Sequence, residues 1–366
     1  MLKTGIAVAA LGLACAVHAQ DKIVVGQSAP LTGGNAQFGN DIRNGANAYF
    51  SAVNAKGGIG GKMIEMQSLD DKNDRKTAGA NAKTLLDKNV VALFGFASAT
   101  LSLDAIPQAE AKDVPFFAPF SGANPVRVNN PVLFTVRASY GDEMEKILNF
   151  WTSLGLKRVT VVHYEDEVGK QNLEVVVKYL QKINLSPKAL PLKRNAQITK
   201  TEIQALLAQQ PELILHTVLS GAAAQMQKEL VDMGRIIPTS SLSFIGADQF
   251  IVAAGPSSAG VSISQVVPNP NSQMPAVREC AKAMEAAGIK GMNSTQLEAC
   301  FAAKTLAEGM RRAKKPVTSK SLLEALTNLG TYDLGGYKIA FNAGAQHGSK
   351  FVDLAMVTRD GRLMSN

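Results

Sequence analysis

Short runs rich in β-branched and aromatic residues alternate with longer stretches of helical periodicity along the whole chain. In the first part, strands are predicted at 23–29, 62–69, 90–96 and 114–119, and helices at 38–54, 75–88 and 101–112. Strands and helices that alternate in this way form parallel sheets covered by helices on both faces. The predicted fold class is therefore α/β, with doubly wound parallel sheets.

The alternation begins again after Arg137, which indicates a second unit of the same architecture. Here the predicted helices are 142–154, 168–183 and 222–233, and the predicted strands are 158–164, 212–219, 242–246 and 261–267. Helices at 276–287, 295–314 and 320–329 follow without strands between them, and the last predicted strands are 338–341 and 351–358. A length of 366 residues allows about two domains. Because no low-complexity linker separates the halves, we expect two lobes joined by several crossings.

The N-terminus has the pattern of a cleaved signal peptide. A lysine near the start precedes an apolar stretch at 5–17, which is too short to span a bilayer. Small residues then occupy the cleavage positions, and we expect cleavage after Ala19 and export from the cytoplasm. Lipid attachment at Cys15 is the less favoured alternative, because Gly12 stands where a lipobox has a branched aliphatic residue.

The net charge of +8 does not indicate a nucleic-acid partner. Basic residues are spread along the chain and interleaved with acidic ones. The densest basic run, 311–315, stands just before Pro316 and is typical of a helix C-terminus. Sites for single-stranded nucleic acids interleave aromatic residues with basic residues, and this run contains no aromatic residue.

Two cysteines, Cys280 and Cys300, remain after signal cleavage, and they lie in neighbouring predicted helices. In an oxidising compartment they can pair as a disulfide, and the alternative is two buried free thiols. Neither has a His or Cys at metal-ligand spacing, so no metal site is predicted.

Motifs for catalysis and cofactor binding are missing from the sequence. The glycine-rich segment 57–62 lacks the Ser or Thr of a phosphate loop and follows a helix rather than a strand. The first strand is not followed by Gly-x-Gly-x-x-Gly, and no serine stands in Gly-x-Ser-x-Gly. His163, His216 and His347 have no nucleophile or second ligand near them in sequence. We therefore predict no enzymatic activity and no cofactor.

The opening of the chain carries a family resemblance. Its segments are Gly-Gln-Ser-Ala-Pro-Leu-Thr-Gly at 26–33, Ala-Gln-Phe-Gly at 36–39 and Asn-Ala-Lys-Gly-Gly-Ile-Gly-Gly at 54–61. With Asp70-Asp71 and the segment 344–352, they resemble the periplasmic solute-binding proteins of ABC transporters, specifically the branched-chain amino-acid (Leu/Ile/Val) binding type. The resemblance covers residues 22 to about 362.

The resemblance implies a type I periplasmic-binding fold of two α/β lobes joined by three crossovers, with the ligand in the cleft between them. The crossings are expected near 137–140, 265–268 and 342–347. Residues 20–138 plus 268–343 then form the N-terminal lobe, and residues 139–267 plus 344–366 form the C-terminal lobe, after a signal peptide at 1–19. The family also implies a periplasmic location, a membrane permease as partner and no chemistry on the ligand.

In the first lobe, the resemblance implies that the loop 95–100 binds the carboxylate of the ligand. Its hydroxyls, Ser98 and Thr100, are the candidates, with capping of the following helix as the alternative. Phe96 belongs to the same loop. The next strand ends at Phe120 and Ser121, where the family tends to have small residues and a Thr. One further candidate is Phe38, which either lines the side-chain pocket or belongs to the core.

In the second lobe, Asp248 matches the acid that pairs with a ligand ammonium in the family, and its alternative role is an N-cap. Val168 and Leu219 stand where the family often has aromatic residues, so the apolar pocket should be larger. Tyr164 lies near the end of the strand that precedes Val168, and its ring can take the place of the missing aromatic residue.

The expected ligand is a small carboxylate that is held by closure of the two lobes about a hinge. A branched-chain or other apolar amino acid is the first candidate, and an aliphatic or aromatic acid without an amine is the second. A ligand sensor of the same fold is a further alternative. We expect the protein to act as a monomer.

Overall fold

The structure, a computed structural model, describes residues 22–194 and 197–365. Its strands are β1 (Ile23–Ala29), β2 (Ile64–Asp70), β3 (Ala92–Phe94), β4 (Phe116–Phe117), β5 (Leu133–Phe134), β6 (Val159–Tyr164), β7 (Lys188–Leu192), β8 (Leu213–Thr217), β9 (Thr239–Ser241), β10 (Ser262–Gln265), β11 (Gly330–Asp333), β12 (Lys338–Phe341), β13 (Asp353–Val357) and β14 (Leu363–Ser365). The expected signal peptide, with Cys15 and the cleavage site at Ala19, lies outside the described residues.

The helices are α1 (Ala36–Asn54), α2 (Arg75–Asp87), α3 (Ala99–Ser102), α4 (Ile106–Glu110), α5 (Tyr140–Ser153), α6 (Glu167–Lys182), α7 (Lys200–Ala208), α8 (Ser220–Asp232), α9 (Ala247–Ala254), α10 (Pro275–Ala286), α11 (Ser294–Arg312) and α12 (Ser319–Thr327). None of these helices, within the described parts of the chain, combines the length and the apolar character needed to cross a membrane.

The first lobe is built on a five-stranded sheet in the order β2-β1-β3-β4-β5, with every strand parallel to its neighbours. A parallel sheet is covered on both faces, and Phe94 and Phe117 accordingly have no exposed surface. On one face, α1 and α11 pack so closely that a Cβ at Gly45 would lie 2.2 Å from the Gln296 carbonyl oxygen. Glycine is therefore required at this helix contact.

The second lobe is built on a seven-stranded sheet in the order β14-β13-β10-β9-β8-β6-β7. The strands from β10 to β7 are parallel, whereas β13 runs antiparallel to β10 and β14 antiparallel to β13. The segment 353–365 thus completes the second sheet. The predicted α/β class, with parallel sheets in two lobes, is confirmed.

The chain passes between the two sheets three times. It leaves the first sheet after β5, returns to the first lobe after β10, and leaves that lobe again after β12. On the second passage α10, α11 and α12 join the core of the first lobe, and β11 and β12 form a separate two-stranded antiparallel sheet. On the last passage, His347 still pairs with Thr135 of the first lobe, and the second sheet is joined only at β13. The α5 helix that follows the first passage begins at a capping box, in which the side chains of Ser139 and Asp142 satisfy each other's backbone N–H groups.

Some predicted elements differ in the structure. The predicted strand at 242–246 is wrong, because β9 ends at Ser241 and a single 3₁₀ turn follows at Ser243–Ile245. The backbone N–H of Ser243 donates to Glu143 rather than to a sheet neighbour, at 2.8 Å, and Gly246 takes a φ of 69°. The unpredicted β7 contains Pro191, which an edge strand tolerates.

Cys280 and Cys300 form a disulfide that joins α10 to α11, with a Cα–Cα distance of 6.0 Å. Both residues belong to the core of the first lobe.

Candidate functional site

A narrow cavity, here called the interlobe pocket, lies where strands of both sheets end. Its lining includes Phe38, Ser98, Thr100, Phe120, Ser121, Tyr140, Tyr164, Val168, Arg194, Thr217, Leu219 and Phe244. Carboxyl ends of parallel strands are the usual place for a ligand in such folds. The pocket volume of about 60 Å³ is far below the ~300–1,000 Å³ of typical ligand sites. A ligand as large as an amino acid therefore enters only if the lobes or their side chains move apart.

The predicted hydroxyl pair of the first lobe faces this pocket. Ser98 also caps α3, because its Oγ accepts a hydrogen bond from the Leu101 backbone N–H at 3.2 Å. The capping role and the lining role thus coexist at one residue. Thr100 is half-buried in the first turn of the same helix and lines the pocket beside Ser98.

Aromatic rings form much of the pocket wall. Phe38 and Phe120 meet edge to face with their ring centres 6.3 Å apart, and both are buried. From the other lobe, the ring of Phe244 lies 5.1 Å from that of Tyr140. This wall provides an apolar surface for a ligand side chain.

Ser121 and Tyr140 supply a buried polar group within this wall. The Ser121 Oγ donates to the Tyr140 Oη at 3.2 Å. Burial raises the pKa of Tyr140 to about 12, so the phenol is neutral at physiological pH. It can therefore donate a hydrogen bond towards the pocket.

Arg194 brings a positive charge to the pocket from the second lobe. Its guanidinium lies over the ring of Tyr164, 4.1 Å from the ring centre, and donates twice to the Asp166 Oδ2, at 2.8 and 2.6 Å. The Tyr164 Oη in turn accepts from the Leu219 backbone N–H at 3.1 Å. Stacking and ion pairing together hold the guanidinium in one place.

The charge of the pocket lining has one sign. Arg194 is the only charged residue among the described residues that line it, and none of them is an aspartate or a glutamate. A second cavity of about 540 Å³, the outer cleft, adjoins it and shares Asn35, Asn73 and Tyr164 with it. The outer cleft is lined by Lys72 and Lys193, again with no carboxylate among the described lining residues. The charged side chains that line the two cavities are therefore cationic, and one of them, Arg194, is paired with Asp166.

Two predicted site residues lie elsewhere. Phe96 packs on Phe116 in the core, with ring centres 4.8 Å apart, and has no exposed surface. Phe94 packs on Phe117 and Phe96 on Phe116, so the two side chains point to opposite faces of the sheet although they are two residues apart. The alternation of β3 is broken between them at Gly95, which takes a φ of 66°. Asp248 lines a separate cavity of about 520 Å³ together with Asn269 and Arg362. It lies inside the first turn of α9, so it is neither a pocket residue nor the N-cap.

Asp248 belongs instead to a group of carboxylates and amides, here called the amide network, that connects the two lobes. Asp41 of α1 is buried and accepts from Gln37, Asn293 and Gln296 of its own lobe at 3.0 Å each. Its second-lobe donor is Gln249, at 3.1 Å. Burial raises the pKa of Asp41, and loss of solvent together with the nearby Asp41 raises that of Asp248.

Several lining residues were not predicted, and the largest of them are Tyr140, Arg194 and Phe244. Arg194 follows β7, a strand that was not predicted because Pro191 interrupts its pattern. The only signal for Arg194 in the sequence was its place in the basic pair Lys193-Arg194. Phe244 lies in the stretch that was taken for a strand. Tyr140 stands at the end of the expected first crossing, where nothing in the sequence marks it as a pocket residue.

Two lobes with a pocket at facing strand ends are the arrangement of a protein that binds a ligand between its lobes. The chain belongs to the periplasmic binding protein family, whose model matches residues 22–362. Several of its curated relatives are named Leu/Ile/Val-binding protein homologues.

Individual relatives agree with this assignment. The chain is 24% identical over 275 residues to the Leu/Ile/Val-binding protein homolog 2 of Brucella abortus (strain 2308), which covers 73% of this chain and 72% of that one. The first two curated relatives are matched over 46% and 72% of their own length. Among solved structures, a substrate-binding periplasmic protein from Ralstonia solanacearum is 29% identical, with a TM-score of 0.88 over 94% of this chain and 100% of that one. A possible leucine/isoleucine/valine-binding protein from Rhodopirellula baltica SH 1 has a TM-score of 0.90 at 23% identity, over 95% and 96% of the two chains.

Proposed function

We propose that this protein is the periplasmic solute-binding component of an ABC importer and that it closes its two lobes around a small apolar carboxylate. Family membership supports the carrier role, and the pocket supports the ligand class. The protein delivers its ligand unchanged to a membrane permease, and we expect it to act as a monomer.

The polar groups of the pocket suit a carboxylate. Ser98 and Thr100 offer hydroxyl donors from the first lobe, and Arg194 offers a guanidinium from the second. Charge-assisted hydrogen bonds from a guanidinium are stronger than neutral ones. Because the donors come from both lobes, a carboxylate between them stabilises the closed form over the open one.

The main support for this ligand class, a carboxylate without an ammonium group, is that the described residues of the pocket lining include no aspartate or glutamate. An ammonium that loses its water without gaining an anionic partner costs several kcal/mol. The acid expected to pair with it, Asp248, lines a different cavity. We therefore favour an aliphatic or aromatic acid without an amine, the second of the two ligand classes expected from the sequence, over an amino acid.

Matched ligand pairs test this preference. Thermal unfolding is followed with 4-methylpentanoate against leucine, and with 3-phenylpropanoate against phenylalanine, since each pair differs only by the amine. A ligand that binds the native state alone raises the melting temperature by mass action. We expect the amine-free acids to raise it and the amino acids to leave it unchanged. Stronger stabilisation by the amino acids would contradict the proposed ligand class.

A further inference from the structure

A buried ion cluster lies at the first crossing between the lobes. Arg137 is among the largest fully buried side chains of the described residues, at 1% exposure. Its guanidinium contacts Glu143 of α5, in the second lobe, at 3.2 Å and Glu298 of α11, in the first lobe, at 3.4 Å. One cation is thus shared by carboxylates from both lobes.

The same cluster holds the turn that follows β9. The Arg137 guanidinium donates to the Ser243 Oγ. The second oxygen of Glu143 accepts from the Ser243 backbone N–H at 2.8 Å and from the Ser264 Oγ at 2.5 Å. Both the backbone and the side chain of Ser243 are therefore fixed by groups from outside its own turn.

Phe244, the residue after Ser243, forms part of the wall of the interlobe pocket. Phe244 lines it and lies against Tyr140, whose ring is itself 5.9 Å from the Arg137 guanidinium carbon. Phe244 is half-buried and follows no regular strand, so the sheet alone does not set its direction. Its backbone is held by the turn's own hydrogen bonds, from Ile245 to Leu242 and from Gly246 to Ser243, and by the contacts that Arg137 and Glu143 make to Ser243.

We propose that Arg137 and Glu143 are positioning residues that fix Phe244 as the apolar wall of the interlobe pocket, without touching the ligand. The inference rests on the proposed function, because it concerns how that pocket selects its ligand. Glu143 acts more directly on Phe244 than Arg137 does, since it binds the Ser243 backbone whereas Arg137 binds the Ser243 side chain. Glu298 contacts the same guanidinium but not Ser243, so it stabilises the cluster without setting the wall.

The variant Glu143→Gln tests the proposal, with Glu298→Gln as the matched control. Both remove one carboxylate from Arg137 and leave the other. In Glu143→Gln, we expect the dissociation constant of 3-phenylpropanoate to rise about 10-fold, as for the loss of one charge-assisted hydrogen bond. For propanoate, which is too short to need the wall, we expect a change of less than about 2-fold. A purely structural role would weaken both acids equally.

Crystal structures of the two variants give a readout that needs no ligand. We expect the separation between the rings of Phe244 and Tyr140 to change in Glu143→Gln and to stay near 5.1 Å in Glu298→Gln. Should Glu143→Gln fail to fold, Ser243→Ala takes its place: it removes the Arg137 contact, leaves the Glu143 bond to the Ser243 backbone, and should still displace Phe244, though by less. An unmoved Phe244, or equal movement in the control, overturns the inference. Failure of every acid to bind the wild type would instead contradict the proposed function, and the ring positions would still decide this inference.

Discussion

The interlobe pocket and the amide network both join the two lobes, but they carry opposite charge. The pocket and the outer cleft are lined by aromatic residues, hydroxyls and the cations Lys72, Lys193 and Arg194. The amide network centres on two carboxylates, Asp41 and Asp248, and the interactions that act on them come from neutral amides and from each other.

Under the proposed function, this segregation selects the charge of the ligand by where the acids are placed rather than by how many acids the interface has. Phe244 and Asp248 are only four residues apart, yet one lines the pocket and the other lines a separate cavity. The turn between them, with Gly246 at positive φ, redirects the chain. The two carboxylates of the amide network thus lie outside the pocket, where amide groups donate hydrogen bonds to Asp41.

Gly169→Ala should have the largest effect of the variants that probe the pocket. A Cβ at Gly169 would lie 2.0 Å from the Tyr164 carbonyl oxygen, so α6 or the end of β6 must move. We expect about 3 kcal/mol lower free energy of unfolding in urea, together with weaker acid binding. Gly221→Ala is the control, because a Cβ there meets nothing within 4 Å. Equal stability of the two variants would show that the pocket backbone is less tightly packed than the structure indicates.

Arg194→Met tests whether the positive side chain recognises the ligand. We expect the dissociation constant of 3-phenylpropanoate to rise about 10-fold by calorimetry, since one charge-assisted hydrogen bond is lost. Lys193→Met removes the neighbouring cation, which lines the outer cleft and not the pocket. It should slow association at low salt and leave dissociation nearly unchanged. If the two variants lose the same affinity, the guanidinium acts only through the general field of the cleft.

The fold was predictable because the alternation of strands and helices is strong and local. The loop with Ser98 and Thr100 was predictable for the same reason: a hydroxyl-rich segment after a buried strand must lie at the sheet edge. The side-chain orientation of Asp248 was not predictable from the sequence. It depends on the φ of Gly246 and on the hydrogen bond between Glu143 and the Ser243 backbone, which are 100 residues apart in sequence. Arg194 was missed because Pro191 weakened the pattern of the strand before it.

Asp41→Asn probes the amide network. The carboxylate accepts four amide N–H groups, and an asparagine turns one of its own donors towards them. We expect a loss of about 1 kcal/mol in unfolding free energy at pH 7, because the two amides bonded to the replaced oxygen lose their acceptor while the burial of a charge is relieved. The preference for amine-free acids should not change. A reversal of that preference would connect this network to the ligand's charge.

Asp248→Asn should have the smallest effect, and its pH dependence has a definite sign. The pKa of Asp248 is raised above its ordinary 3.8, so the native state holds this proton to higher pH than the unfolded chain does. The ionised carboxylate therefore lowers stability above the raised pKa and contributes nothing below pH 3.8. Since Asp248 is exposed, we expect the variant to gain less than about 0.5 kcal/mol at pH 8, and no gain at pH 3.5, in urea unfolding. Affinity for the acids should be unchanged. If the wild type instead binds leucine and the variant loses it, Asp248 reaches the ligand on closure, and the separation of charges between the two regions does not hold in the bound state.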